Sequence, residues 1–295
     1  MTDTQNEVFK TPVNKIRLFE HGAPGSQNLK LTRKYYTEDM PDGRVKHIVQ
    51  NITDPDIVPY IPDGIGNSTD RQRIPAVLII PGGAFRRLVY NFEGEDVAKW
   101  LNSMGIAAFV LECRLPSDEH DNAEDVPLID AMRAMRVIRG RAQEFGIDEA
   151  KIGVMGFSAG GFMAALLSTA YESDVYADYK YKDEYDKLSA RPDFAVCSYP
   201  VISIDDCIEA GKRYMSEEQV LERISDSKAK ILHKYNPDKL VRPDMPPVFI
   251  CETDDDRTTL SENSVGFYMA ARKAGVSAEL HIFRTGGHGY GCGDD

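Results

Sequence analysis

Residues 151–167 read KIGVMGFSAGGFMAALL: an apolar run, a glycine-built turn with Ser158 at its apex, then an apolar stretch at helical spacing. No other segment constrains the fold as much, because a buried strand must turn sharply here into a helix packed against it. Gly156 and Gly160 permit the strained turn and the close approach of strand and helix, so the Ser158 hydroxyl stands above the sheet edge. This is the G-x-S-x-G pattern of a nucleophile elbow. The Ala159 amide opens the new helix, where negative charge is favoured. The plain alternative is an ordinary strand-to-helix turn capped by a serine.

The same alternation recurs along the chain. Residues 76–80 (AVLII) form the continuous apolar run of a strand buried on both faces and stop at Pro81, Gly82 and Gly83. Residues 93–104 read as an amphipathic helix ended by Gly105, and 106–111 as the next strand. Pro127 opens a long helix on Leu128, Ile129, Met132, Met135 and Ile138, with Gly146 just past it. Strands follow at 194–199, 248–251 and 278–283, with a helix at 261–274. The pattern predicts one α/β domain over 1–295, with a mostly parallel sheet covered by helices on both faces. Residues 1–72 read as edge strands and loops, 171–188 as a tyrosine-rich surface excursion, and 205–245 as a polar helical insertion, a candidate lid or contact region.

Composition narrows the function. A net charge of −12 repels nucleic acid and polyanionic substrates. No run approaches the ~18 to 20 apolar residues of a membrane span. The polar N-terminus lacks a secretory apolar core and the five cysteines are odd in number and scattered, so a cytoplasmic protein with reduced thiols is expected. C-x-x-C and H-E-x-x-H are absent and the six histidines are dispersed, so no metal site is expected. Gly153, Gly156, Gly160 and Gly161 do not fit G-x-G-x-x-G, so neither is a dinucleotide.

A serine hydroxyl needs a base, and the base usually an acid, each placed after a later strand in the order Ser, Asp or Glu, His. The run 248–251 leads into Asp254, Asp255 and Asp256, and the last strand leads into the glycine-flanked His288. His21, His47, His120, His233 and His281 read as ordinary core or surface histidines. At least two of the three aspartates should be ordinary loop acids, and the residues alone leave the choice open. The 81–85 loop (PGGAF) sits where backbone amides of Gly83 and Ala84 could join Ala159 in holding an oxyanion. Phe85, Arg86, Arg87, Phe157 and Tyr290 adjoin these motifs and are candidate substrate walls.

These blocks, with 17–24 (RLFEHGAP), 93–95 (EGE), 105–111 (GIAAFVL), 187–193 (KLSARPD), 199–202 (YPVI), 262–264 (ENS) and 286–289 (GGHG), resemble the α/β-hydrolase acetyl esterase/lipase family and its acetylxylan-esterase-like and feruloyl-esterase-like members. The resemblance covers nearly the whole chain. It implies a single-domain α/β-hydrolase fold and a cofactor-free serine carboxylesterase that removes acetyl or small acyl groups, with an acetylated oligosaccharide or other small ester as partner. The family acid lies eight residues before the serine of D-x-x-V-P-x-x-N-S. With Ser264 in that place, the resemblance selects Asp256 to complete a triad with Ser158 and His288.

The chain departs from the family in three places. Residues 257–260 (RTTL) replace the Val-Pro that follows the acid, and Ala84 replaces a third glycine. Family members also carry a helix after the histidine loop, whereas this sequence stops at Asp295, so the loop is expected to need bracing by the N-terminal segment or by another subunit of a homo-oligomer. Two rival readings are a prolyl-oligopeptidase-type peptidase, whose usual extra domain is not seen, and a non-catalytic binding module on the same fold.

Overall fold

The computed structural model describes residues 9, 12–65, 73–213, 216, 218–219 and 229–293. Its strands are β1 (Ile16–Arg17), β2 (Lys34–Asp39), β3 (Val45–Gln50), β4 (Asp56–Tyr60), β5 (Ile74–Ile80), β6 (Leu88–Val89), β7 (Ala107–Glu112), β8 (Ile147–Phe157), β9 (Ala195–Ser198), β10 (Val248–Thr253) and β11 (Ala278–Phe283). One sheet has the order β1-β4-β7-β5-β8-β9-β10-β11. From β7 to β11 every neighbouring pair is parallel, and β4 and β1 extend the β7 edge by antiparallel pairing. All six residues of β7 are buried. Alternate side chains point to opposite faces, so such a strand must be covered on both sides.

The helices are α1 (Asp96–Ser103), α2 (Val126–Gly140), α3 (Ala142–Phe145), α4 (Ala159–Ala170), α5 (Ile204–Lys212), α6 (Ala229–Lys234) and α7 (Ser261–Lys273). Helix α4 packs on β8, β9 and α2, α1 on β7, and α7 on β10 and β11. The fold is that of an α/β-hydrolase in one domain. Because β5, β8, β9, β10 and β11 run the same way, their exits gather at one sheet edge, where α/β folds place ligands.

The structure refines several segments. The expected 93–104 helix begins later, at Asp96, after a wide turn over Asn91–Glu95 in which the Glu95 amide reaches back to the Tyr90 carbonyl. The long helix breaks at Arg141, where Gly140 lies against the Tyr185 ring, and α3 completes it before Gly146. The N-terminal region divides: β1 and β4 join the main sheet, while β2 and β3 pair with β6 in a second, three-stranded sheet. It is anchored by charge, since Lys15 and Arg33 both contact the buried Glu112 carboxylate at 2.6 Å. The 171–188 excursion is not wholly superficial, for Tyr171 and Tyr176 are buried and Arg133 of α2 pairs with Asp186 at 3.1 Å. Of the 205–245 insertion, residues 214, 215, 217 and 220–228 lie outside the described set. Its return limb is tied to the start of α2 by Lys234 and Asp125, 2.6 Å apart. Among the described residues no helix is long and apolar enough to cross a membrane.

Candidate active site

Ser158 joins β8 to α4 with φ 52° and ψ −118°, a conformation that L residues rarely hold. Strain of this kind costs on the order of 1–3 kcal/mol and persists only where the surroundings impose it. Here the Ser158 amide donates to the Ser198 carbonyl at 3.0 Å, and the Ser158 carbonyl accepts from Phe162 at 3.0 Å. The flanking glycines are steric necessities: a Cβ on Gly156 would lie 2.0 Å from the Gly160 carbonyl oxygen, and one on Gly160 would lie 2.0 Å from that of Ile80.

The chain beyond β11 returns His288 to this serine. Its Nε2 lies 2.9 Å from Ser158 Oγ, and its Nδ1 lies 2.6 Å from Asp256 Oδ2. A carboxylate can only accept, so Nδ1 carries the proton and Nε2 is left to accept from the serine hydroxyl. Asp256 follows β10, is 3% exposed, and also accepts from the amides of Thr258 (2.7 Å) and Thr259 (3.0 Å) and from the Thr259 hydroxyl (2.9 Å). Burial pushes its carboxyl up, but the His288 bond and charge, with the two amides, outweigh this and hold it below the ordinary 3.8. The geometry therefore brings together the three residues that the sequence analysis singled out.

The loop after β5 adds two more non-glycine residues with positive φ, Ala84 at 57° and Phe85 at 59°, beside Gly83 at 138°. Ala84, which stands where the family carries a third glycine, thus takes the left-handed conformation that a glycine adopts freely. Of the candidate walls, Phe85 is buried edge-on against Phe162 at 5.5 Å and lines a small cavity of about 20 Å³ beside Ala159 and Gly160. Arg87 lines the same cavity and pairs with Glu38 at 2.5 Å. Arg86 is exposed and its carbonyl accepts from Gln50. One assignment needs correction. Phe157 is fully buried and packs toward Tyr199, because as the last residue of β8 it points away from Ser158 and into the core. Tyr290, half-buried two residues after His288, packs edge-on against Tyr199 at 4.5 Å.

Residues not visible as site components in the sequence complete the arrangement. Thr259 bonds Asp256, Tyr199 touches the His288 ring with centroids 5.0 Å apart, and Glu93 accepts from Gly82 at 2.8 Å. Asp255, read as a loop acid, accepts the Gly287 amide at 2.8 Å. The 262–264 block also acquires a purpose: buried Asn263 accepts the Ile202 and Ser203 amides at 2.9 and 3.0 Å, fixing the exit from β9, and Ser264 donates to Glu252 at 3.2 Å.

Comparison with known proteins gives this geometry a context. The BD-FAE family model matches residues 65–270. The chain belongs to the BD-FAE family. It is 31% identical over 220 residues to an acetylxylan esterase of Xylanibacter ruminicola, and 31% identical over 227 residues to endo-1,4-beta-xylanase B of Butyrivibrio fibrisolvens. Those alignments take in 74% and 77% of this chain but span only 41% and 34% of these longer relatives. Among solved structures it is similar to the acetyl ester-xyloside bifunctional hydrolase of Caldicellulosiruptor lactoaceticus, at 38% identity and TM-score 0.65, covering 82% of this chain and 81% of that one. A propionate-bound esterase of Thermogutta terrifontis shares the fold at 24% identity and TM-score 0.62, over 90% of this BD-FAE chain and 86% of its own.

Proposed function

We propose that this protein is a serine carboxylesterase that hydrolyses acetyl or other short acyl esters, with an acetylated carbohydrate as the favoured substrate. The observation that carries the reading is His288 bridging Ser158 at 2.9 Å and Asp256 at 2.6 Å. Ser158 Oγ attacks the ester carbonyl as His288 Nε2 takes its proton, and the carbonyl electron pair moves onto oxygen. The Ala159 amide, at the N-terminus of α4, and those of Gly83 and Ala84 receive the oxyanion. Collapse expels the alcohol, which takes the proton from His288. Water, deprotonated by the same imidazole, then attacks the acyl-enzyme and releases the acid and Ser158. Asp256 balances the imidazolium at each proton transfer, a role suited to a carboxyl held in its anionic form.

The carbohydrate assignment rests on relatives described as an acetylxylan esterase and an acetyl ester-xyloside hydrolase. Both names concern esters, which supports ester over peptide hydrolysis. The reading is tested by turnover of p-nitrophenyl acetate and of acetylated xylo-oligosaccharides, with fluorophosphonate labelling in parallel. Ser158→Ala should abolish labelling and lower turnover about 10⁶-fold. Near-native turnover in that variant would remove Ser158 from the chemistry, and hydrolysis of a dipeptide anilide in preference to the ester would favour a peptidase.

A further inference from the structure

We propose that Tyr199 and Glu93 are positioning residues that hold the histidine loop and the loop after β5 at a fixed separation around Ser158, an inference that rests on the serine-esterase reading above. Tyr199 sits at the exit of β9 with φ 37°, an unfavourable value for an aromatic residue, and is fully buried. Its amide donates to the Cys251 carbonyl at 2.7 Å, so the backbone strain is held by the neighbouring strand. What this conformation secures is the placement of the ring. One edge meets His288, another meets Tyr290, and the hydroxyl accepts the Gly291 amide at 3.0 Å. The stretch that follows His288 is thereby seated on a single side chain.

The same hydroxyl donates to Glu93 Oε1 at 3.0 Å, and Glu93 Oε2 accepts the Gly82 amide at 2.8 Å. Glu93 is 5% exposed, and its bonds come from a phenol and a backbone amide, not from a cation. Burying a carboxylate on those terms is costly. The return is a continuous path, Gly291 to Tyr199 to Glu93 to Gly82, across the underside of the site. Gly82 itself is wedged between the carboxylate and the serine: a Cβ there would lie 2.7 Å from Glu93 Oε2 and 3.0 Å from Ser158 Cβ. The Gly82 amide is committed to this bond, leaving the next two residues, Gly83 and Ala84, as oxyanion donors whose position depends on where Glu93 holds the loop. The base and the oxyanion loop, which must both be correctly placed around one tetrahedral centre, thus share one support.

The test uses the full chain. Tyr199→Phe keeps the ring and deletes only the hydroxyl. Glu93→Gln keeps an acceptor oxygen for Gly82, and Glu93→Leu removes it. Steady-state kinetics with p-nitrophenyl acetate are read beside Tm and the inhibition constant of phenylboronic acid, whose tetrahedral serine adduct needs both the imidazole and the oxyanion donors. Tyr199→Phe is expected to lower kcat about 10- to 100-fold with KM within about twofold, the size of effect that a small misplacement produces. Boronate affinity should fall by a similar factor, and Glu93→Gln should retain more activity than Glu93→Leu. A lower Tm with kcat and boronate affinity unchanged in Tyr199→Phe and Glu93→Gln overturns the proposal and makes the network purely structural. If Tyr199→Phe does not fold, the ranking of the two Glu93 variants decides. Ser158→Ala separates the two levels: full turnover in it sinks the esterase reading, whereas an inactive Ser158→Ala beside a wild-type Tyr199→Phe sinks this inference alone.

Discussion

The Gly287 amide donates to Asp255 at 2.8 Å, and the Gly287 carbonyl accepts from the Thr253 hydroxyl at 2.8 Å. Both polar groups of the residue before His288 are therefore held by the end of β10 and the loop that follows it and carries Asp256. The histidine loop is thus clasped by the segment that leads into Asp256. Its glycines allow the clasp, since Gly287 has φ 63°.

Asp255→Ala should consequently act on turnover more than on stability. Asp255 is exposed, and exposed substitutions usually move stability by no more than about 0.5 kcal/mol. Loss of one point of the clasp lets His288 drift, and kcat is expected to drop by a factor of several, short of the ~100-fold that a 1 Å misplacement can cost. Asp255→Asn, which keeps an acceptor, should recover most of it. Equal kcat in wild type and Asp255→Ala would show that Thr253 and Tyr199 suffice.

Asp256→Asn addresses the imidazole directly. An amide can present its NH₂ to Nδ1, which favours the tautomer with the proton on Nε2, where it cannot accept from Ser158. A fall in kcat of about 10⁴-fold is expected, with KM little changed. A loss below about tenfold would mean that another acid orients His288.

What the sequence discloses and what it withholds divide along the distance over which a constraint acts. The elbow is legible because Gly156, Ser158 and Gly160 meet within one turn, and the apolar runs of β5, β7 and β8 are legible because a doubly buried strand needs no partner to be recognised. Asp256 is intermediate: position limits it to three adjacent residues, and only a resemblance selects among them. Tyr199 and Glu93 meet across 106 residues, and nothing in either local pattern announces the bond. Phe157 shows the opposite error, where adjacency to Ser158 suggested a site wall although strand alternation sends it into the core.

Acyl-chain preference follows from the cavity beside Ala159. It is lined by Phe85, Leu115, Pro116 and Met163 among others, and is small, about 20 Å³. If the acyl group enters there, kcat/KM should fall from acetyl to butyryl esters, a methylene in an apolar pocket being worth ~10- to 200-fold. Met163→Ala should narrow that ratio. Because removing a buried methionine costs about 2–5 kcal/mol, the ratio of the two esters in one preparation is the proper readout. An unchanged ratio would place the acyl group elsewhere.

Glu252 offers a separate test through pH. It lies on β10 with no exposed surface, and accepts from the Thr253 amide at 2.9 Å and the Ser264 hydroxyl at 3.2 Å. Burial, with the nearby Asp256 charge adding to it, pushes its carboxyl up from 4.5 to about 8 against the pull of those donors. Between those two values the folded protein keeps a proton that the unfolded chain has lost. Stability must therefore fall as pH rises through this window, and the penalty is complete above about 8. Asp256 works in the opposite sense, with a lowered value: its contribution is present above 3.8 and is lost as pH falls below that, outside the Glu252 window. Glu252→Gln, neutral throughout, is expected to match wild type near pH 5 and to be the more stable by a few kcal/mol, to order of magnitude, at about pH 8.5. Chemical denaturation of both proteins across that range provides the measurement. Parallel curves would mean that Glu252 ionises without cost, and that its surroundings are wetter or more positive than the packing around Ser264 implies.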